Sequence, residues 1–110
     1  MPYTPNQGDI IMINFDPQAG HEQKGRRPAL VVSNKIYNSH CKMVMACPIT
    51  NTDKKHAFHI LLDDRTETTG VILCDQIRAL DISARNAVYV EYVSDDVLDE
   101  AIDLICSFVE

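Results

Sequence analysis

The alternation of apolar and polar positions predicts a small protein built mainly from strands. Runs rich in valine and isoleucine and bounded by turn residues are typical of strands. They lie at residues 9 to 15, 28 to 34, 43 to 50, 58 to 62, 71 to 78 and 88 to 93. The connections are short except for residues 16 to 27, a loop long enough to suggest function. This spacing favours a small antiparallel barrel or a curled sheet.

The hydrophobic period changes near the C-terminus, where it predicts a helix. Ser94 can act as the N-cap, and the two aspartates that follow it are favoured by the helix dipole. Acidic residues occupy the outer face of this helix. The apolar face comprises Val97, Leu98, Ala101, Ile102, Ile105, Phe108 and Val109. We therefore expect the helix to pack across the sheet.

Length and composition predict one domain over residues 1–110. A chain of 110 residues with 45% hydrophobic content can build a single core but not two. No stretch approaches the roughly 18 apolar residues of a membrane span. The N-terminus lacks the charged and apolar regions of a signal peptide. We therefore expect a cytoplasmic protein without membrane association.

The cysteines and histidines do not form a pattern typical of a metal site. The four cysteines include no Cys-x-x-Cys pair, which argues against a zinc knuckle or a redox dithiol. His56 and His59 are three residues apart, without a carboxylate or cysteine at ligand spacing. We expect no metal and no cofactor. Because His59 alternates with Phe58 and Ile60, we expect it to point to solvent from a strand.

Charge is distributed unevenly along the chain, although the net charge is −6. Residues 1 to 62 carry seven lysines or arginines against four acids, an excess of three positive charges. Residues 63 to 110 carry three arginines against twelve acids, an excess of nine negative charges. A basic face on an acidic body can bind phosphates weakly and with salt sensitivity. The alternative is a solvated surface that has no partner.

The long loop concentrates polar chemistry immediately before a buried strand. Residues 20 to 27 read Gly-His-Glu-Gln-Lys-Gly-Arg-Arg, and Pro28 then fixes φ at the start of an apolar run. Loops held by a rigid sheet often carry binding and catalytic residues. An ordinary solvated hairpin loop is the alternative, since loops are polar by default.

Several segments follow one another in an order and spacing that cover nearly the whole chain. They are Gly8-Asp9-Ile10-Ile11, Asp16-Pro17, Gly20-His21-Glu22-Gln23, Gly25 with Arg27-Pro28-Ala29-Leu30-Val31, Tyr37-Asn38, Cys47-Pro48-Ile49-Thr50, and Gly70 to Arg78 followed by Leu80-Asp81. Together they resemble the MazF/PemK (Kid) family of toxin endoribonucleases. The resemblance implies an SH3-like barrel of antiparallel strands with a C-terminal helix, forming a homodimer.

The resemblance also implies an activity and partners. Members of the family cleave single-stranded messenger RNA at specific sequences without a metal. The 2′-hydroxyl of the substrate attacks, which yields a 2′,3′-cyclic phosphate and a 5′-hydroxyl end. The implied protein partner is a cognate antitoxin whose disordered C-terminal segment covers the RNA channel.

Two residues match the catalytic positions of the family. Arg27 matches the arginine of the Arg-Pro motif, and a guanidinium can bind two phosphoryl oxygens at once. Thr50 matches the Pro-x-Thr threonine that stabilises the transition state. The alternatives are that Arg27 pins the loop to a carboxylate and that Thr50 is an ordinary β-branched strand residue.

The general base stays open among Glu22, His21 and Asp75. A glutamate is ionised at neutral pH, and a histidine titrates near it. In the PemK (Kid) branch the aspartate matching Asp75 is the base and works with an arginine two positions earlier, where this chain has Leu73. We therefore expect Asp75 to brace Arg27 or Arg78 by a salt bridge.

Other polar residues are expected to contact RNA. They are Gln76, Arg78, Asp75, Lys54 and Lys55. The base sequence that the protein would recognise does not follow from the chain, because it depends on the shape of the pocket.

Two other functions compete with RNA cleavage. The first is a non-catalytic binding module like the gyrase-poisoning toxin CcdB, which has the same fold and ends in Trp-Gly-Ile. This chain ends Ser107-Phe108-Val109-Glu110 and contains no tryptophan, which argues against that function. The second is an inactivated relative that only represses or titrates an antitoxin. The presence of Arg27 and Thr50 argues against it.

Overall fold

The computed structural model describes residues 3–16, 25–52 and 58–110, which form one antiparallel sheet and two helices. The strands are β1 (Asp9–Asn14), β2 (Arg26–Val31), β3 (Met43–Thr50), β4 (His59–Leu61), β5 (Val71–Leu73), β6 (Arg78–Asp81) and β7 (Val88–Tyr92). The helices are α1 (Lys35–Cys41) and α2 (Asp95–Val109), and a 3-10 turn spans Cys74–Gln76.

The sheet is organised around β3, its longest strand. The strand order is β4-β5-β3-β2-β1-β7, and all the pairs are antiparallel. Along the edge that faces away from β2, β3 pairs first with β6 and then with β5. One strand thus has different partners along its length, which suits a strongly curled, barrel-like sheet. The predicted fold class, mainly β with a C-terminal helix, is confirmed.

Two apolar clusters lie on opposite faces of the sheet. The first includes Ile10, Leu30, Cys47, Ile49, Ile60 and Ile72, and α2 covers it with Val97, Leu98 and Ala101. The second includes Ile11, Ile13, Phe15, Ala29, Val31, Val44, Ala46 and Leu80. Neighbours in one strand belong to different clusters because side chains alternate across a sheet. Each fully buried isoleucine or leucine contributes about 1.5–3 kcal/mol to folding.

The predicted strand over residues 71 to 78 is wrong as a single element. Val71–Leu73 pairs with the end of β3, and Arg78–Asp81 pairs with its beginning. The 3-10 turn over Cys74–Gln76 joins these two segments. The apolar run continues through the turn because Cys74 is buried there, so periodicity alone does not reveal the break.

Helix α1 was not predicted. The Asn34 side chain accepts a hydrogen bond from the backbone N–H of Tyr37 at 2.9 Å and caps the N-terminus. Lys42 adopts a left-handed conformation with φ of 57° and closes the C-terminus by donating its N–H to the Asn38 carbonyl. The helix has seven residues, and Asn38 is its buried residue, so it lacks an extended apolar face.

Helix α2 begins where the sequence predicts. Ser94 takes the N-cap position, although its side chain makes no capping hydrogen bond, and its carbonyl accepts from Leu98. The predicted apolar face is buried only in its first half. Phe108 and Val109 are 36% and 70% exposed. The last turn therefore presents apolar surface to the outside of this single chain.

Asn38 is buried and joins three segments. Its side-chain N–H group donates to the carbonyls of Pro5 at 2.9 Å and Ser33 at 3.2 Å. Its side-chain carbonyl accepts from the Ser33 hydroxyl at 2.5 Å, and that hydroxyl also accepts from the N–H of Met45. The N-terminal segment, the end of β2 and the start of β3 are thereby connected to α1.

We expect Asn38→Ala to lower the free energy of unfolding by about 1–3 kcal/mol, because it leaves buried polar groups without partners. Urea denaturation measures the change. Asn6→Ala is the control, since Asn6 is exposed, and it should change stability by less than about 0.5 kcal/mol. Equal stability of the two variants would contradict this role for Asn38.

Arg65 fastens the β4–β5 connection to α2. Its guanidinium donates to the carboxylates of Asp63 at 2.8 Å and Asp96 at 2.9 Å. Hydrogen bonding to Arg65 lowers the pKa of Asp63, and hydrogen bonds to Arg65 and Ser94 lower the pKa of Asp96 from 3.8 to about 2. The same connection is tied to β7, because Glu91 accepts hydrogen bonds from Glu67 and Thr68.

This bridge makes stability depend on pH. Since the pKa of Asp96 is depressed in the folded protein, the bridge stabilises above the ordinary value of 3.8 and is lost as pH falls toward about 2. We expect Arg65→Gln to be slightly less stable than the unmodified protein at pH near 6, with a difference that salt reduces. Denaturation at several pH values should show the difference shrinking below pH of about 4. A difference that stays constant with pH would contradict the assignment.

Candidate active site

The pairing of β2 with β3 relates the positions of the two predicted catalytic residues, Arg27 and Thr50, through the register of their strands. Ala29 pairs with Pro48, Leu30 with Cys47 and Val31 with Ala46, and the pairing ends at Ala29 and Pro48. Arg27 and Thr50 each lie two residues beyond that last pair. Side chains of directly opposed residues point to the same face of an antiparallel sheet. That face is the one to which Ala29 contributes in the second apolar cluster. Arg27 and Thr50 therefore belong to one end and one face of the sheet.

The Thr50 hydroxyl is held in a local turn. Its oxygen accepts a hydrogen bond from the N–H of Thr52 at 3.1 Å and lies 2.9 Å from the Thr52 hydroxyl oxygen. A hydroxyl that accepts a hydrogen bond from an amide can still donate a hydrogen bond of its own. That acceptor can be Thr52 or an oxygen of a bound phosphate. Thr50 is only 6% exposed, so few orientations of its side chain are open.

Gly70 permits the backbone to approach Thr50 closely. A Cβ atom at Gly70 would lie 2.4 Å from the Thr50 carbonyl oxygen, which is closer than real Cβ contacts allow. Gly70 also has φ of +116°, a conformation that other residues rarely adopt. The glycine therefore lets β5 pair with the last residue of β3 and fixes the backbone of Thr50.

Arg27 lies one residue inside β2, where the strand pairs with the end of β1. Ile13 is its partner in that pair, and Asn14 is the partner of Arg26. Before the strand begins, the Asp16 carboxylate accepts a hydrogen bond from the N–H of Gly25 at 2.9 Å. Residues 14–16 and residue 25 thus lie together at the base of the loop, and we call them the loop neck. Arg27 lies two residues after Gly25.

Two arginines from β6 and its C-terminal connection contact the loop neck. Arg78 donates to the Phe15 carbonyl at 3.2 Å and lies over the Phe15 ring, 5.8 Å from its centroid. Arg85 donates to the carbonyls of Asn14 at 3.1 Å and Asp16 at 2.5 Å. Arg85 was not singled out from the sequence. The predicted contact of Arg78 with RNA stays a prediction, and the structure adds a contact with the protein backbone.

Asp75 has a partner that the sequence analysis did not foresee. The Nε2 atom of His59 lies 3.1 Å from a carboxylate oxygen of Asp75. The expectation that His59 points to solvent is wrong, since its side chain is 9% exposed. His59 pairs with Leu73 across β4 and β5, and the 3-10 turn brings Asp75 within its reach. The predicted salt bridge from Asp75 to Arg27 or Arg78 stays a prediction.

A shallow cavity of about 330 Å³ opens beside His59. Side chains of α2 form the rest of its lining, which comprises Glu100, Asp103, Leu104 and Ser107. The acidic side chains make this cavity unsuitable for a phosphate group. It is therefore not the part of the surface that we expect RNA to contact.

The other predicted site residues fall into two groups. Gln76 ends the 3-10 turn and is half-buried. His21, Glu22, Lys54 and Lys55 lie outside the described residues. Of the three candidates for the base, the structure therefore describes the surroundings of Asp75 alone.

The described residues include no group of side chains suited to bind a metal, and two of their four cysteines are buried. Within residues 3–16, 25–52 and 58–110, no three histidine, cysteine or acidic side chains are grouped as metal ligands would be. Cys47 and Cys74 are buried in the core, where hydrogen bonding to Cys74 and burial raise the pKa of the Cys47 thiol. A thiol with a raised pKa stays protonated and is a poor nucleophile.

The curled antiparallel sheet with a C-terminal helix is the fold of a small β toxin of the endoribonuclease class. Residues 6–109 match the family described as the PemK-like, MazF-like toxin of type II toxin–antitoxin systems. The chain belongs to this family, and the predicted resemblance is confirmed.

Individual relatives agree with this assignment. The endoribonuclease toxin MazF of Escherichia coli K12 is 40% identical over 85 residues, which cover 77% of this chain and 76% of the relative. A crystal structure of MazF from Deinococcus radiodurans superposes with a TM-score of 0.92 at 40% identity and covers 97% of both chains. A MazE–MazF crystal structure from the same organism gives 0.86 at 37% identity, again with 97% of both chains covered.

One further finding concerns membranes. Among the helices of the described residues, none is both long enough and apolar enough to span a bilayer.

Proposed function

We propose that this protein is a sequence-specific, metal-independent endoribonuclease toxin that cleaves single-stranded RNA at a site containing Arg27 and Thr50. The β2–β3 register supports the proposal, because Arg27 and Thr50 each follow the last pair, Ala29 and Pro48, by two residues, and side chains two residues apart along a strand share a face. Both are donors suited to phosphoryl oxygens. The curated relatives named as endoribonucleases support the same reaction class.

The reaction that this arrangement supports is a transfer within the RNA strand. The 2′-oxygen attacks the adjacent phosphorus, the bond from phosphorus to the 5′-oxygen breaks, and the leaving oxygen takes a proton. Negative charge grows on the non-bridging oxygens during the attack. Arg27 neutralises that charge with its guanidinium. The Thr50 hydroxyl donates a hydrogen bond to one of these oxygens. The products carry a 2′,3′-cyclic phosphate and a 5′-hydroxyl.

A base must remove the proton of the 2′-hydroxyl. Glu22 and His21 belong to the loop that precedes Arg27, and Asp75 belongs to the 3-10 turn. We assign proton transfer to the loop, because Asp75 already contacts His59 and its neighbour Leu73 is a buried apolar residue. Asp75 then braces Arg27 or Arg78 by a salt bridge. The RNA bases or backbone are contacted by Gln76, Arg78, Lys54 and Lys55.

Exposed apolar side chains support the proposal that other protein chains bind to this one. Val88, Tyr89, Val90 and Tyr92 make β7 an exposed edge strand, and Phe108 and Val109 extend apolar surface at the end of α2. Surfaces of this kind mark interaction sites on soluble proteins. A homodimer and a cognate antitoxin are the partners that we propose, since a relative forms a MazE–MazF complex. We place the activity in the cytoplasm, where messenger RNA is available.

Cleavage in the presence of a chelator tests the proposed function. The purified protein, incubated with a long single-stranded RNA and EDTA, should cut at a recurring short sequence. Sequencing of the fragments should identify the cut sites, and end analysis should find 5′-hydroxyl and cyclic phosphate termini. Cleavage that stops in EDTA and returns with Mg²⁺ or Mn²⁺ would contradict the mechanism. Absence of cleavage under all conditions would instead favour a CcdB-like binding module.

Substitutions that remove the Arg27 guanidinium or the Thr50 hydroxyl test the site. We expect Arg27→Ala to lower the single-turnover rate by about 10²–10³, because it removes a donor to the charged transition state. Thr50→Val preserves the β-branched shape, removes the hydroxyl and should lower the rate by a similar or smaller factor. Arg26→Ala is the matched control, since Arg26 is exposed and outside the family motif. A well-folded Arg27→Ala protein with a near-normal rate would remove Arg27 from the site.

A further inference from the structure

We propose that Arg85 is a positioning residue for RNA cleavage, which holds the loop neck and thereby sets where Arg27 enters the site. The proposal rests on the proposed function, since it concerns the efficiency of that reaction. Arg85 lies in the connection between β6 and β7, 58 positions after Arg27 in the chain. Its effect is transmitted through the backbone of β1 and not by contact with the substrate.

The contacts of Arg85 converge on the last residues of β1. One guanidinium nitrogen, Nη1, donates to both the Asn14 carbonyl at 3.1 Å and the Asp16 carbonyl at 2.5 Å. The backbone carbonyl of Arg85 also accepts a hydrogen bond from the N–H of Asn14 at 3.1 Å. Side chain and backbone of one residue therefore hold the point at which β1 leaves the regular ladder.

The loop neck carries this constraint to β2. Asn14 pairs with Arg26, and the N–H of Phe15 donates to the Gly25 carbonyl at 2.9 Å. The Asp16 carboxylate accepts from the N–H of Gly25 at 2.9 Å. A shift of Asn14 or Asp16 would therefore move Gly25 and Arg26, which directly precede Arg27. A displacement of about 1 Å at a reacting group can lower a rate by about 10²-fold.

Arg85 is a better subject for the experiment than Arg78, although both contact the loop neck. The guanidinium of Arg78 lies over the ring of Phe15, which is buried in the second apolar cluster. Substitution of Arg78 would disturb the core as well as the neck. The contacts of Arg85 are with carbonyl groups at the surface end of β1. Its loss should leave the apolar clusters intact.

The test compares Arg85→Gln and Arg85→Lys with the matched control Arg65→Gln. Arg65 is also partly exposed and has two carboxylate partners, but it lies away from the loop neck. We expect Arg85→Gln to lower the single-turnover rate about 10- to 100-fold. Affinity for an RNA with a 2′-deoxy group at the cleaved position should change less than about twofold. Arg85→Lys keeps a cationic donor and should recover part of the rate. Arg65→Gln should cleave at the normal rate.

Amide hydrogen exchange supplies a readout that does not depend on RNA. The amides of Phe15 and Gly25 should exchange about tenfold faster or more in Arg85→Gln and remain protected in Arg65→Gln. Asp16→Ala gives a second route to the same effect, because Asp16 is exposed and, among the described residues, its side chain binds the N–H of Gly25. It should lower the cleavage rate in the same way, without loss of RNA affinity.

Each outcome decides the proposal. A normal cleavage rate in Arg85→Gln, or unchanged exchange at Phe15 and Gly25, would overturn the positioning role. A fall in RNA affinity that matches the fall in rate would show direct substrate binding by Arg85 and would also overturn it. If the unmodified protein failed to cleave RNA, the proposed function would fall and this role with it, whereas a defect confined to the Arg85 variants leaves the function standing.

Discussion

The antiparallel pairing of β2 with β3 is the interaction on which the rest of the structure depends. β3 pairs with β2 along one side and with β6 and β5 along the other, so it joins the two parts of the sheet. Alternate side chains of the same strands build the two apolar clusters. A slip of one residue would move each side chain to the opposite face, placing polar groups in the core. The register that packs the core therefore also sets which face of the sheet Arg27 and Thr50 share.

This constraint also bears on how an acidic protein presents the phosphate site that we propose. The acidic outer face of α2 belongs to the layer that covers the first apolar cluster. Arg27 and Thr50 follow the register of Ala29 and Pro48 on the other face of the sheet. Ions in solution screen charges that are separated by more than roughly 8 Å at physiological salt. The net charge of −6 therefore says less about RNA binding than the arrangement of charge on the two faces.

Elements with a long, regular pattern were predicted well, whereas short elements that depend on local hydrogen bonds were not. The bounds of β3 match the prediction, and α2 begins directly after the predicted cap. Helix α1 was missed because Asn34 and Lys42 define it by caps and its length gives little periodicity. The turn at Cys74–Gln76 was hidden within an apolar run, and with it the cross-strand pairing that brings His59 to Asp75. Arg27 and Thr50 came from motif resemblance, whereas their relative positions in the sheet follow from the register of β2 with β3.

The contribution of Arg85 shows why a site can depend on residues that no motif contains. At the strand ends near Arg27 the regular ladder stops, and backbone groups there need other partners. Asp16, Thr50 and Arg85 supply side-chain hydrogen bonds to those groups. The bond from Arg85 to Asp16 joins segments 69 residues apart, so neither spacing nor residue type reveals it. Under the proposed mechanism, the groups that stabilise charge lie on strands whose ends these bonds fix, while proton transfer is left to the adjacent loop.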